Sequence, residues 1–210
     1  MAVAPSRTND PERTRADILR VAMAEFADKG LSGARIDAIA DATRTSKRMI
    51  YYYFDSKEGL YLAVLEEAYR RIRRTEGDLQ LDNLPPEDAL RRLVEFTFDH
   101  HAGNEEFIRI VMNENIERGK YLSQSQIIED LNVPAIEAIG RIYERGRVAG
   151  VFREGLDPID LHASISALTF FNVSNQYSFG RIFKRDLATS AARAVRRANI
   201  VEMLVRFVRR

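Results

Sequence analysis

The sequence predicts an all-α fold of about nine helices, a small N-terminal three-helix unit followed by a larger C-terminal helical bundle. Three observations carry that prediction. Apolar residues recur at three-four spacing through most of the 210 residues. No strand-like alternation runs longer than four residues, and prolines and small polar residues stand where helices would begin.

Taken in order, Asp10 caps the first helix and Pro11 fits its first position, with Ile18, Leu19, Ala22 and Phe26 on one face and Gly30 as its stop. A short second helix carries Ile36, Ile39 and Ala40. The turn Thr43-Arg44-Thr45 leads to a third, capped by Ser46 and running through Met49, Ile50 and three tyrosines. Asp55-Ser56 breaks the pattern. Ser56 then caps a fourth helix on Leu60, Val64, Leu65, Ala68 and Ile72, whose charged end from Arg70 to Arg74 reads as solvated. A linker from Asp78 to Pro86, with two prolines, follows. Beyond it, helices are expected from Pro86 to about His101, from Glu105 to Glu117, from Ser123 or Pro134 to Arg147, from Asp157-Pro158 through Leu168, and from about Ala188 to Arg209. Pro134 either starts its helix or kinks it. The predicted division is 1–56, a connecting helix 57–77, and 78–210.

Composition narrows the function. Hydrophobic residues at 45% and charged residues at 30% support a packed core and exclude a disordered chain. The absence of cysteine excludes a disulfide framework, a thiolate zinc site, an iron–sulfur centre and a cysteine nucleophile, and fits a reducing cytoplasm. Met1 to Arg7 lacks an export signal, and no apolar run reaches membrane-spanning length. The histidines His100, His101 and His162 form no His-x-x-x-His or Glu-x-x-His motif, and neither a Gly-rich phosphate loop nor Gly-x-Ser-x-Gly occurs. No catalytic residue, metal or cofactor is expected.

Net charge is +1, yet residues 1–60, 61–180 and 181–210 carry +1, −7 and +7. Thr43 to Phe54 holds Arg44, Lys47 and Arg48 without an acid, interleaved with Tyr51, Tyr52 and Tyr53. A short helix, a tight turn and a second helix with polar and basic residues at its N-terminus match the helix-turn-helix design, whose second helix shows its first residues to base edges in the major groove. Arginine there pairs with guanine. Spacing alone also permits a helical ligand-binding or scaffold protein that no longer reads DNA.

The run Ile39-Ala40-Asp41-Ala42-Thr43-Arg44-Thr45-Ser46-Lys47-Arg48-Met49-Ile50-Tyr51-Tyr52-Tyr53-Phe54-Asp55-Ser56-Lys57-Glu58-Gly59-Leu60, preceded by Ile18-Leu19, Ala22, Phe26 and Gly30, closely resembles the signature of the TetR family of bacterial transcriptional regulators. Arg145 to Arg153, followed by Asp157-Pro158, also resembles the family's C-terminal domain. The resemblance implies a homodimer that grips a pseudo-palindromic operator on double-stranded DNA, most often as a repressor, and releases it to a small-molecule effector. It places Tyr52 and Lys57 at positions that hold the DNA backbone. Thr45, Lys47 and Arg48 are candidates for base contact, Arg44 and Ser46 stand beside them, and Tyr51, Tyr53 and Phe54 are expected to pack.

Two residues depart from the family pattern. Arg44-Thr45 stands where Gly-Val is common, which costs on the order of 1 kcal/mol if the turn needs positive φ. Arg35 stands where Thr or Ser usually caps the second helix, and is assigned to a phosphate instead. In the C-terminal half, polar residues within apolar helical stretches are the expected effector contacts: His100, Asn113, Tyr143, Asn172, Asn175 and Gln176, with Tyr177, surrounded by Phe96, Phe107, Met112, Phe170 and Phe171. The helix from Asp157 to about Phe171 and the stripe Val201, Val205 and Val208 are the candidates for a dimer contact.

Overall fold

A computed structural model describes residues 10–210; Met1 to Arg7 lies outside them. Ten α-helices follow in order: α1 (Pro11–Gly33), α2 (Ile36–Thr43), α3 (Lys47–Phe54), α4 (Lys57–Gly77), α5 (Pro86–Gly103), α6 (Glu105–Ile116), α7 (Gln126–Val148), α8 (Pro158–Ser174), α9 (Gln176–Phe183) and α10 (Ser190–Val208). Short 3-10 turns occupy Leu81–Asn83 and Leu122–Gln124. Among the described residues the only β pairing is an isolated antiparallel bridge between Phe152 and Arg209, and no helix is long and apolar enough to cross a membrane. The chain divides into two compact units between Glu67 and Ala68, inside α4.

In the first unit, the Asp10 carboxylate accepts the N–H groups of Glu12 and Arg13, with Pro11 beside it at the first position. Gly30, at φ 65° and ψ 175°, interrupts α1 where the sequence places its end. Ile18, Phe26, Ile39, Ile50 and Leu60 are fully buried, and Phe26 meets Tyr61 edge to face at 5.2 Å. Ser56 Oγ accepts the Gly59 N–H at 2.9 Å. The turn into α4 is so tight that a Cβ on Gly59 would lie 2.1 Å from the Phe54 carbonyl oxygen.

The second unit is built around α5, α7, α8 and α10. Their inward residues, among them Leu93, Val94, Phe98, Ile139, Ile142, Leu161, Ile165, Ile200 and Leu204, form one core. Val201, Val205 and Val208 belong to that core as well, so the stripe proposed from sequence for dimerisation instead closes the protomer. Ser125 caps α7, and Pro134 lies nine residues further in. Having no N–H, Pro134 leaves the Asp130 carbonyl without its helical donor. The C-terminus is pinned by Arg153 N–H to the Val208 carbonyl and Arg210 N–H to the Val151 carbonyl. Behind that bridge the Phe152 ring lies against Gly146, where a Cβ would come within 2.0 Å of it.

The helix α9 is absent from the sequence prediction. It spans eight residues, carries Gly180, and its N-cap Asn175 makes no side-chain capping bond. Such a segment lacks the start signal and the length on which periodicity depends.

Candidate nucleic-acid interface and ligand cavity

The α2–α3 pair has a separate inner and outer face. Ile50 and Phe54 turn into the core one helical turn apart, which by helical geometry sends Lys47, Arg48, Tyr51 and Tyr52 outward. Ser46 Oγ accepts the Met49 N–H at 3.2 Å and fixes the start of α3. Arg44 ends α2 in the left-handed region, at φ 53° and ψ 38°, a strain offset by the backbone N–H of Arg44 bonding the Asp41 carbonyl and that of Thr45 bonding the Ala40 carbonyl. Arg35 makes no side-chain cap. Its backbone N–H bonds the Glu25 carboxylate at 3.0 Å, leaving the guanidinium at the surface.

The cations differ in availability. Lys47 Nζ pairs with Asp37 at 2.5 Å, and Lys57 Nζ, half-buried, donates to the Ser32 carbonyl at 3.3 Å. Arg44 and Arg48 are exposed, and Thr45 is half-buried in the turn between them. Tyr52 is 75% exposed and rests edge-on against Tyr53. Tyr51, expected to pack, is 42% exposed instead. Its place one turn beyond Lys47 sets it on the outer face.

Within the second unit lies a cavity of about 560 Å³, a volume suited to a small molecule. Its wall is mainly apolar, with Ile72, Leu93, Phe107, Ile136, Ile165 and Phe170 contributing. The polar groups are Tyr69, Arg73 and Glu76 from α4, Thr97 and His101 from α5, Ser123 from the second 3-10 turn, Glu129 and Asn132 from α7, and His162 and Ser166 from α8. His101 is buried, stacked on Phe107 and edge-on to Phe170. Thr169 Oγ1 donates to the Ile165 carbonyl at 2.8 Å and lies 3.0 Å from His101 Nδ1. Burial first, then the charges of His100, Arg73 and His162, bring the His101 pKa down to about 3. Burial and Arg73 lower those of His100 and His162 too, so the histidine cluster is neutral at neutral pH.

None of the six residues expected from sequence to contact an effector lines this cavity. His100 lies one position away from the inward stripe, packed on Phe96 and Phe107. Tyr143 joins two backbone groups, donating to the Arg153 carbonyl and accepting the Leu156 N–H. Asn172 is buried in α8, Asn175 donates to Ser174 at the α8–α9 junction, Gln176 opens α9, and Asn113 lies in the last turn of α6. Arg73, read as solvated, has a side chain only 14% exposed. Arg73, His101, Asn132 and His162 are among the polar residues of this wall that the sequence did not single out as effector contacts. His101 continues Val94 and Phe98, so helical spacing held the signal for it, whereas Arg73 stands among four arginines and only the packing of α4 turns it inward.

A helical pair with a buried inner face, whose second helix presents basic and aromatic residues outward from its start, has the form of a helix-turn-helix DNA reader. A model for "Bacterial regulatory proteins, tetR family" matches residues 18–64, and one for "Tetracyclin repressor-like, C-terminal domain" matches residues 86–204. The HTH-type transcriptional repressor NicS of Pseudomonas putida is 35% identical over 204 residues, 97% of this chain and 96% of NicS. A second HTH-type transcriptional repressor, SCO4008 of Streptomyces coelicolor, is 36% identical over 110 residues, 52% of this chain and 54% of its own. A bacterial regulatory protein in the tetR family from Rhodococcus RHA1 shares the fold, with TM-score 0.74 at 23% identity over 93% of this chain and 97% of that one. The chain belongs to the TetR family and is a DNA-binding transcriptional regulator.

Proposed function

We propose that the chain is a repressor that holds a pseudo-palindromic operator as a homodimer and releases it when a small molecule enters the 560 Å³ cavity. One observation carries this reading. The helix α4 opens at Lys57 beside the α2–α3 pair and, in its last turns, lines the cavity with Tyr69, Ile72, Arg73 and Glu76. Functionally the chain then divides into a DNA reader over 1–56, a connecting helix over 57–77 and a ligand-binding and dimerising part over 78–210, working in the cytoplasm where an operator is found.

Arg35, Arg44, Thr45, Ser46, Lys47, Arg48, Tyr52 and Lys57 form the proposed DNA surface, Arg48 reading a base and Tyr52 and Lys57 holding phosphates. Lys57 must exchange the Ser32 carbonyl for a phosphate, and Lys47 its Asp37 partner. One such reader makes few contacts, and helix-turn-helix dimers set two of them about 34–36 Å apart. The exposed apolar residues Ile159 and Phe171 on α8 and Val195 and Met203 on α10 support a two-fold contact there. The effector is assigned to the cavity wall of His101, Arg73 and Asn132; Asn172, Asn175 and their neighbours are assigned to supporting that wall. The test is retention of the DNA upstream of its own gene against excess unrelated DNA. Selective retention supports the reading, and equal binding to both DNAs overturns it.

A further inference from the structure

Arg73 and Glu76 line two cavities at once. One is the 560 Å³ cavity; the other, of about 740 Å³, is lined by Arg70, Leu81, Ile127, Leu131, Pro134 and Ala138, among others. The last turns of α4 and the first half of α7 thus form a partition with space on either side. Across that partition Arg73 Nε donates to Asn132 Oδ1 at 3.0 Å, while its Nη1 bonds Glu76. Both members of the ion pair are largely shielded, with side chains 14% and 10% exposed. Asn132 is itself held, its Nδ2 donating to the Ile128 carbonyl at 2.6 Å, so its Oδ1 is aimed at Arg73. Next to this bond α7 is missing one backbone hydrogen bond, because Pro134 has no N–H for the Asp130 carbonyl.

We propose that the Arg73–Asn132 bond is a latch that sets the position of α4, and that the occupant of the cavity opens it by offering Arg73 a hydrogen-bond acceptor in place of Asn132. This rests on the repressor reading above and adds to it the residue through which occupation is felt and the chemical group that is felt. A guanidinium has donors to spare beyond Nε and Nη1, so a carbonyl, ether or phenol oxygen lodged among Ile165, Phe170 and His101 can engage it. The shielded part of the wall already pairs its one cation, Arg73, with Glu76, and its histidines are neutral. An added buried anion would have no counter-charge there, and an uncharged acceptor meets no such cost. Arg73 is a positioning residue in this scheme. It sits four turns along the helix that begins at Lys57, and Pro134 makes α7 the yielding side of the partition.

The test uses the full chain, without any effector, in fluorescence-anisotropy titrations of its upstream DNA. Asn132→Ala removes the acceptor, and Asn132→Gln keeps an uncharged amide with an oxygen for Arg73 and an N–H for the Ile128 carbonyl. The latch predicts that Asn132→Ala mimics the occupied state and binds the DNA about tenfold more weakly, within the roughly 5- to 150-fold range of allosteric couplings. Asn132→Gln is expected to bind closer to wild type than Asn132→Ala does. Circular dichroism melting of both variants checks that the fold persists. Both variants within twofold of wild type, or both equally weakened, would overturn the latch. Failure of the wild-type chain to bind its upstream DNA selectively would overturn the repressor reading on which the latch rests.

Discussion

Lowering the pH from 7.5 to 5 will cost the folded chain about 2 kcal/mol through His101 alone. The folded-state pKa of about 3 lies below the ordinary histidine value of 6.5, because the ring is buried beside Thr169 and between Phe107 and Phe170. The contribution is fully present above pH 6.5. Below it the unfolded chain takes up a proton that the folded chain refuses, and stability falls by about 1.4 kcal/mol per pH unit until the folded pKa is reached. At pH 5 that gives about 2 kcal/mol, and His100 and His162, also lowered by burial, add in the same direction. The perturbation is His101→Phe, which keeps the stacking on Phe107 and leaves the Thr169 hydroxyl bonded to the Ile165 carbonyl. Urea denaturation at pH 7.5 and pH 5 then compares the two proteins. The variant is expected to lose about 2 kcal/mol less than wild type over this interval. An equal loss in both would refute the burial of a neutral His101.

Other expectations follow from single contacts. Gly146→Ala drives a methyl into the Phe152 ring, 2.0 Å away before relaxation; destabilisation of about 1–3 kcal/mol is expected in urea melts, and an unchanged midpoint would contradict that packing. Arg44→Gly relieves a left-handed non-glycine residue, so thermal melting should show a gain of about 1 kcal/mol while operator affinity falls; a loss of stability would show that Arg44 makes a stabilising contact. Met203→Glu places a charge on the exposed apolar stripe of α10, and sedimentation should show dissociation at micromolar concentration; an unshifted dimer would move the two-fold contact elsewhere.

The first unit was readable from sequence almost to the residue because its signals are local. Asp10, Pro11, Gly30, Ser46 and Ser56 each act on backbone groups within a few positions, and the structure uses each of them at that place. Arg44 was legible for the same reason, since a turn that needs positive φ exposes any residue that resists it. Of the cavity, Phe107 and Phe170 were legible in the sequence, and its polar wall was not. Polarity within an apolar stretch pointed to Asn172 and Tyr143, but Tyr143 serves the 153–156 loop, a partner fixed by long-range folding. The same polarity points to His100, although the spacing from Val94 and Phe98 places His101 on the inward face. A run of four arginines in five residues reads as solvent-facing, and only the packing of α4 shows that Arg73 turns inward. The dimer stripe failed for a similar reason: Val201, Val205 and Val208 are apolar and aligned, and a core claims such a face as readily as a partner does.

The central claim, that α2, α3 and the start of α4 read DNA, is tested most directly by the salt dependence of binding to the chain's upstream DNA in wild type, Lys57→Ala and Arg48→Ala. Each phosphate contact contributes about 0.9 to the slope of log affinity against log salt. Loss of Lys57 from both protomers is therefore predicted to flatten the slope by about 1.8 for every sequence alike. Arg48→Ala is predicted to relax preference at one base pair in each half-site, with a cost of about 1–3 kcal/mol on the preferred sequence alone. Slopes and base preferences identical to wild type in both variants would contradict the assignment of this surface to DNA.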